Sequence, residues 1–259
     1  MRILLLGDIV GSPGRRIVAR LLPALRARER VDFTVANAEN AAAGRGVTLA
    51  LAQELFAAGA DVLTLGDHVW DQKDFAAQIE RDPRLLRPLN LPPGCPGRGL
   101  ATFQTPAGPV TVVSLLGRTF MRAQADCPFR AADAALRGPP RGGAIVVEFH
   151  AEATSEKIAL GWYLDGRVSA VVGSHTHVQT ADDSIRPRGT AYLSDLGMCG
   201  PRDSVLGREK EPIIQRFMTG MPVRFDIAER DVWLEGALVD VDPTNGRATA
   251  IRRLQLPEV

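Results

Sequence analysis

Cysteine is scarce in this chain: only Cys95, Cys127 and Cys199 occur among 259 residues. They are odd in number, far apart and form no Cys-x-x-Cys pair. That excludes a disulfide framework and a thiolate zinc knuckle, and the three read as reduced thiols of a cytoplasmic protein. Long apolar runs are missing as well. The opening run Ile3–Leu6 is cut off by Asp8, too short for the core of a signal peptide. No stretch approaches the roughly 18 apolar residues of a membrane-spanning helix. Net charge is also lacking: 31 basic residues against 30 acidic ones leave +1, so no basic field exists for a long nucleic acid or a membrane surface. Repeats, low-complexity tracts and a strong linker are absent too. One domain spanning residues 1–259 is therefore expected, with ample length to bury a core.

What is present is an alternation of strand and helix patterns. Residues 2–6, 32–40 and 61–71 each open as a short apolar run and close on Gly, Asp, Asn or Glu. Helical spacing occupies 13–28 and 48–60 between them. Such a β-α-β-α-β order predicts parallel strands joined by helical crossovers, hence an α/β fold. Further on, 100–117 predicts a hairpin around Pro-Ala-Gly-Pro, and 135–143 a loop. Strands are expected at 144–150, 168–175 and 189–197, with a helix over 154–166. The tail alternates about an Asn245-Gly246 turn and predicts antiparallel strands.

The strand ends carry the chemistry. All four histidines of the chain, His68, His150, His175 and His177, fall at predicted strand C-termini. Asp8, Glu39-Asn40 and Asp67 occupy the same kind of position. Each has an ordinary reading: an aspartate after a strand is usually a turn or cap residue, and a lone histidine is often a satisfied core residue. Independent ordinary causes would not gather all four histidines there, and ligands of open α/β sheets bind beyond the carboxyl ends of strands. His175 and His177, two residues apart in an extended segment, are expected to project to one side. A donor set of carboxylate, amide oxygen and imidazole without thiolate suits Mn, Fe, Zn or Ni. It exceeds one tetrahedral ion and suits a pair about 3.5–4 Å apart, sharing a carboxylate.

"GDIVG", "NAEN", "LGDHVWD", "FHAEATSEK" and "GSHTHVQTAD", in this order, resemble the calcineurin-like metallophosphoesterases, and more narrowly their YmdB-like bacterial branch. The resemblance runs from residue 1 to at least 207. It implies a four-layer α/β/β/α sandwich and a dinuclear centre of divalent or mixed-valence transition metals, Fe or Mn first and Zn as the alternative. By matching motif, Asp8, Glu39, Asn40 and His177 would hold one ion. Glu39 would bridge to a second, completed by Asp67, His150 and His175. The implied activity is phosphodiester hydrolysis, with 2′,3′-cyclic nucleotides as the small substrate. A hydroxide held by the ions would attack phosphorus in line, and His68 would protonate the leaving oxygen. One position departs from the family pattern, which has Gly-Asn-His where this chain has Gly66-Asp67-His68. The aspartate adds a charge and removes an NH₂ donor, which predicts tighter metal binding and weaker binding of an anionic substrate.

Other residues have supporting expectations. Arg45 and Arg118 are candidate phosphate contacts, although either is more commonly a surface arginine. Glu152, Ser155 and Glu156 suit helix-start or ligand-orienting roles, and Thr180 and Asp182 suit bracing of the histidine loop. Residues 203–222 read as a lid or a homo-oligomer contact. Two rival readings remain at this level: a metal-dependent phosphomonoesterase or nuclease, and a metal-binding regulatory protein weakened in catalysis by Asp67. A Rossmann-type nucleotide binder is set aside, because "GDIVGSPG" lacks the Gly-x-Gly-x-x-Gly spacing.

Overall fold

A computed structural model describes residues 1–137 and 143–258 of the chain. Strand β1 (Arg2–Ile9), helix α1 (Gly11–Glu29), β2 (Phe33–Asn37), α2 (Leu49–Ala57) and β3 (Val62–Thr64) form the expected β-α-β-α-β run. The three strands pair in parallel, and the two-residue β4 (Leu85–Leu86) extends the row. Thr48 caps α2, its hydroxyl accepting from the Leu51 amide.

A second sheet begins with the expected hairpin, β5 (Leu100–Thr105) and β6 (Gly108–Leu116), which pair antiparallel about the turn at 106–107. Helix α3 (Pro128–Ala135) follows; the sequence reading passed over it. The stretch 138–142, inside the loop expected over 135–143, lies outside the described residues. Then come β7 (Ala144–His150), α4 (Thr154–Tyr163) and β8 (Ala170–Ser174), with β6, β7 and β8 parallel.

The strand expected over 189–197 is two strands in different sheets. After the short β9 (Ser184–Ile185), β10 (Ala191–Leu193) pairs with β8, whereas β11 (Met198–Pro201) pairs with β1. The chain therefore crosses between sheets at 194–197. It does so in contact with Gly7, where a Cβ would collide with the Gly197 carbonyl oxygen, so no larger residue fits. Helix α5 (Lys210–Thr219) comes next. The tail forms β12 (Val232–Val241) and β13 (Ala248–Pro257), antiparallel as the Asn-Gly turn predicts. One sheet runs β13-β12-β11-β1-β2-β3-β4 and the other β5-β6-β7-β8-β10-β9.

Three apolar clusters tie these elements together. Strand β1 shows the logic, because its side chains alternate between faces. Leu4 and Leu6 join Ile17, Leu22 and Leu55 of α1 and α2. Ile3 and Leu5 join Val112, Val146 and Val172 of the other sheet. The opposite faces of those strands, through Val113, Val147 and Val171, pack with Ala132 of α3 and Leu160 of α4. Strands buried on both faces read as unbroken apolar runs, which is why 2–6 and 144–149 carry no polar alternation. Both sheets consequently present buried strand ends to the same region.

Candidate metal centre

Four elements deliver four donors to one point. Glu39 follows β2, Asp67 follows β3, His150 ends β7 and His175 follows β8. One ligand atom of each lies within 4.8 Å of the others. His150 Nε2 is 2.9 Å from Glu39 Oε1 and 3.1 Å from Asp67 Oδ1, while His175 Nδ1 is 2.9 Å from His150 Nε2. Glu39 and His150 are fully buried. Gly66 makes this approach possible, since a Cβ there would collide with Glu39 Oε2 and His150 Cδ2.

A second group adjoins the first through Glu39. The Asn40 amide nitrogen is 3.4 Å from Asp8 Oδ1, 3.2 Å from Glu39 Oε1 and 3.2 Å from His177 Nε2. An amide has two hydrogens to offer three acceptors. Turned over, the same amide would present its oxygen beside Asp8, Glu39 and His177, as a cation's ligand set requires; amide orientation is assigned from such networks. Asp8 is fully buried, and His177 Nε2 is 3.8 Å from it.

The electrostatics favour a cation. Among the described residues, the basic groups within 4.0 Å of the Asp8, Glu39 and Asp67 carboxylates are all imidazoles. Burial pushes the Asp8 carboxyl above its usual range. Burial would do the same to Glu39 and Asp67, but the charge and hydrogen bonding of His150 reverse it and hold both low. His150 in turn resists burial through Glu39, Asp67 and Asp8 and is held well above the ordinary imidazole range. His175 goes the other way: burial and the neighbouring His150 charge push it to about 4. His150 thus answers the negative charge of Glu39, Asp67 and Asp8, which cluster around its ring. Oxygen and nitrogen donors converging in this way fit a transition metal.

The backbone around the histidines corrects one expectation. His175 and His177 do not lie in an extended segment: their φ angles are +95° and +62°, both left-handed. The two rings therefore serve different groups, His175 with His150 and His177 with Asp8 and Asn40. Left-handed non-glycine residues cost about 1–3 kcal/mol each and persist only where the surroundings dictate them. Here the His175 amide donates to Asp8 Oδ2, and Asp195 accepts from the Thr176 amide and hydroxyl. Lys157, buried in α4, donates to the same Asp195 oxygen at 2.9 Å.

The remaining candidates divide. His68 sits beside the donors: its amide donates to Glu39 Oε2, and its Nδ1 is 2.9 Å from Asp71 Oδ2, which leaves Nε2 available to the cavity. Glu152 reaches His175 Nε2 at 3.1 Å. Glu156, in the first turn of α4, accepts from the amides of Arg118 and Thr119 instead. Thr180 and Asp182 hold the crossing at Ser194-Asp195, and so brace the loop indirectly. Arg45 lines the cavity over the donors; Arg118 lines a different one. Among the described residues, Ser155 makes no side-chain hydrogen bond to the donors or to the residues that orient them. Sequence reasoning missed Asp195, Asn37 and Ser174, although all three stand at strand ends. Asn37 and Ser174 both contact the His150 Nδ1 edge, at 3.3 and 2.8 Å. It also missed Arg208, whose guanidinium donates to the carbonyls of Ala43, Gly44 and Phe225.

Comparison with known proteins places this geometry. Residues 4–254 match the model of the YmdB-like proteins. The chain belongs to the YmdB-like family. Family members are of the metallophosphoesterase type, and the chain is accordingly a phosphoester hydrolase. It is 48% identical to the 2′,3′-cyclic-nucleotide 2′-phosphodiesterase of Bacillus subtilis, over 98% of this chain and 96% of that one. The crystal structure of a hypothetical protein from Thermus thermophilus matches with a TM-score of 0.94 at 41% identity, covering 100% of both chains. The crystal structure of a novel phosphatase from Mycoplasma pneumoniae gives 0.93 at 32% identity, covering 99% of this chain and 93% of that one.

Proposed function

We propose that this chain is a dinuclear, metal-dependent phosphodiesterase acting on small diesters, with 2′,3′-cyclic nucleotides as the substrate class. It is read as one domain, a four-layer α/β/β/α sandwich of two facing sheets between helices. The observation that carries the proposal is the pair of donor groups sharing Glu39. Asp8, Glu39, Asn40 and His177 would hold one ion; Glu39, Asp67, His150 and His175 would hold the other. Fe and Mn suit this oxygen-rich set first, with Zn as the alternative. Bound there, the ions would polarise the phosphoryl oxygens and supply a nucleophile at neutral pH.

The chain's own residues do the rest. His68 is the proton donor: as an imidazolium it keeps its Nδ1 proton on Asp71 and gives its Nε2 proton to the leaving oxygen. Leu206 orients His177, since the ring's Nδ1 lies 3.2 Å from the Leu206 carbonyl and Nε2 is thereby turned to Asp8 and Asn40. The 48% identity to a cyclic-nucleotide phosphodiesterase supports the substrate class, and the near-zero net charge is consistent with a small substrate rather than a nucleic-acid track.

Metal-stripped protein titrated with Mn²⁺ against bis(p-nitrophenyl) phosphate, p-nitrophenyl phosphate, an RNA oligonucleotide and 2′,3′-cyclic AMP tests this. Metal-dependent turnover of the diesters, collapsing in His68→Ala, is expected. Preference for the monoester or the oligonucleotide would favour the phosphomonoesterase or nuclease instead. Bound metal without turnover of any of the four would favour the regulatory metal-binding protein.

A further inference from the structure

The cavity above the donors has a volume of about 760 Å³, far more than a phosphate needs. Its floor is Glu39, Asn40, His68, His175 and His177. Another wall comes from residues 205–225, which overlap the stretch 203–222 where the sequence suggested a lid or oligomer contact. Leu206, Ile213, Phe217 and Phe225 make this wall apolar and aromatic. Phe217 is 84% exposed and Leu206 48% exposed, so two apolar side chains face water beside a site built for an anion.

The wall is also cationic. Arg45, Arg208 and Arg216 line the same cavity, against Glu152 as the carboxylate outside the donor groups. Arg216 lies 5.3 Å from the centre of the Phe225 ring. Arg208 clips the wall to the floor: its guanidinium bonds Ala43 and Gly44 on one side and Phe225 on the other. A ligand complementary to both halves has an anionic phosphate at one end and a planar apolar group at the other. Simple alkyl diesters lack the second part, and long polyanions lack a groove of this shape.

Resting on the function proposed above, we infer that the Leu206/Phe217/Phe225 wall is the nucleobase subsite and sets a preference for purine nucleotides. Stacking a base on an aromatic side chain is sequence-tolerant but grows with ring area, so purines gain most. Leu206 then has two duties, since its side chain lines the subsite and its carbonyl orients His177.

The test compares kcat/KM for 2′,3′-cyclic AMP, 2′,3′-cyclic CMP and ribose 2,3-cyclic phosphate in the Mn²⁺-loaded protein. The expected order is adenine, cytosine, then no base, with the preference residing in KM. Phe217→Ala, which removes an exposed ring and disturbs no core, should cut the adenine-to-baseless ratio roughly tenfold. Phe225→Ala should do the same, while Phe120→Ala, an equally exposed ring (86%) outside the cavity, should leave the ratio unchanged. An unaltered ratio in both wall variants, or a wild-type ratio near one, would overturn the subsite. A binding readout separates this from the catalytic reading. If no diester is turned over, the proposed activity fails, but 3′-AMP should still bind more tightly than ribose 3-phosphate, and Phe217→Ala should abolish that difference. Equal binding of the two would sink the subsite on its own.

Discussion

The two ends of the cavity are built on opposite principles. At the floor, donors sit at or just beyond the ends of β1, β2, β3, β7 and β8, strands whose residues are buried almost throughout. The histidine donors are braced by further residues: His175 by Asp8, the Thr176 turn by Asp195, the His150 ring by Asn37 and Ser174. At the wall, aromatic side chains stand on α5 and the segment after it, and one arginine fastens them to the floor. Chemistry that demands fixed distances is placed on the rigid part of the fold. Recognition of a flat, apolar group tolerates a looser support.

The largest effect expected on this contrast comes from the shared carboxylate. Glu39→Gln should lose both ions and all metal-dependent turnover, as read by elemental analysis of dialysed protein. Gly66→Ala should resemble it, because the added methyl displaces Glu39 and His150 together. Next, His68→Ala should retain both ions while kcat falls about 10²–10⁴-fold on diesters with poor leaving groups. A smaller loss is expected from Asp195→Ala, which releases the left-handed turn that aims both histidines. Metal affinity should fall roughly 10–100-fold, and thermal stability should fall with it, because buried Lys157 loses its carboxylate partner.

Two gentler perturbations sharpen the floor. Asp67→Asn removes one of three carboxylates and should weaken metal binding while improving KM for anionic substrates. The pH dependence follows from the histidines. His150 is cationic in the metal-free site, so loading should expel its proton; His175, pushed to about 4, has none to lose near neutrality. Calorimetry in buffers of different ionisation enthalpy should therefore report proton release on loading. Affinity should fall as pH drops, because the ions then compete with the His150 proton.

Much of the floor was legible in the sequence, because period and punctuation encode it. Apolar runs stopped by Gly7-Asp8, Asn37 to Asn40 and Gly66-Asp67-His68 are what strand ends look like, and the structure brings those very residues together. The left-handed turns at His175 and His177 were not legible, since nothing in "SHTH" specifies φ. They are imposed by Asp8 and Asp195, 167 and 19 residues away from their respective partners. The crossing at 194–197 was hidden for a related reason. "AYLSDLGMCGP" is apolar enough for one strand, and the contacts that hold the crossing, from Gly7, Gly173, Thr180 and Asp182, come from far along the chain or from the preceding loop. Helix α5 was illegible because most of its apolar residues face outward, with Ile213 alone buried, so it lacks the core-facing stripe that marks a helix in sequence.

Everything proposed for the floor depends on two ions held by groups that share Glu39. The most direct test is Mn²⁺ stoichiometry of the stripped protein by equilibrium dialysis, with electron paramagnetic resonance on the same samples. Two ions per chain with a spin-coupled signal, both lost in Glu39→Gln, is the predicted result. One ion per chain, or two uncoupled ions of which one survives Glu39→Gln, would contradict it.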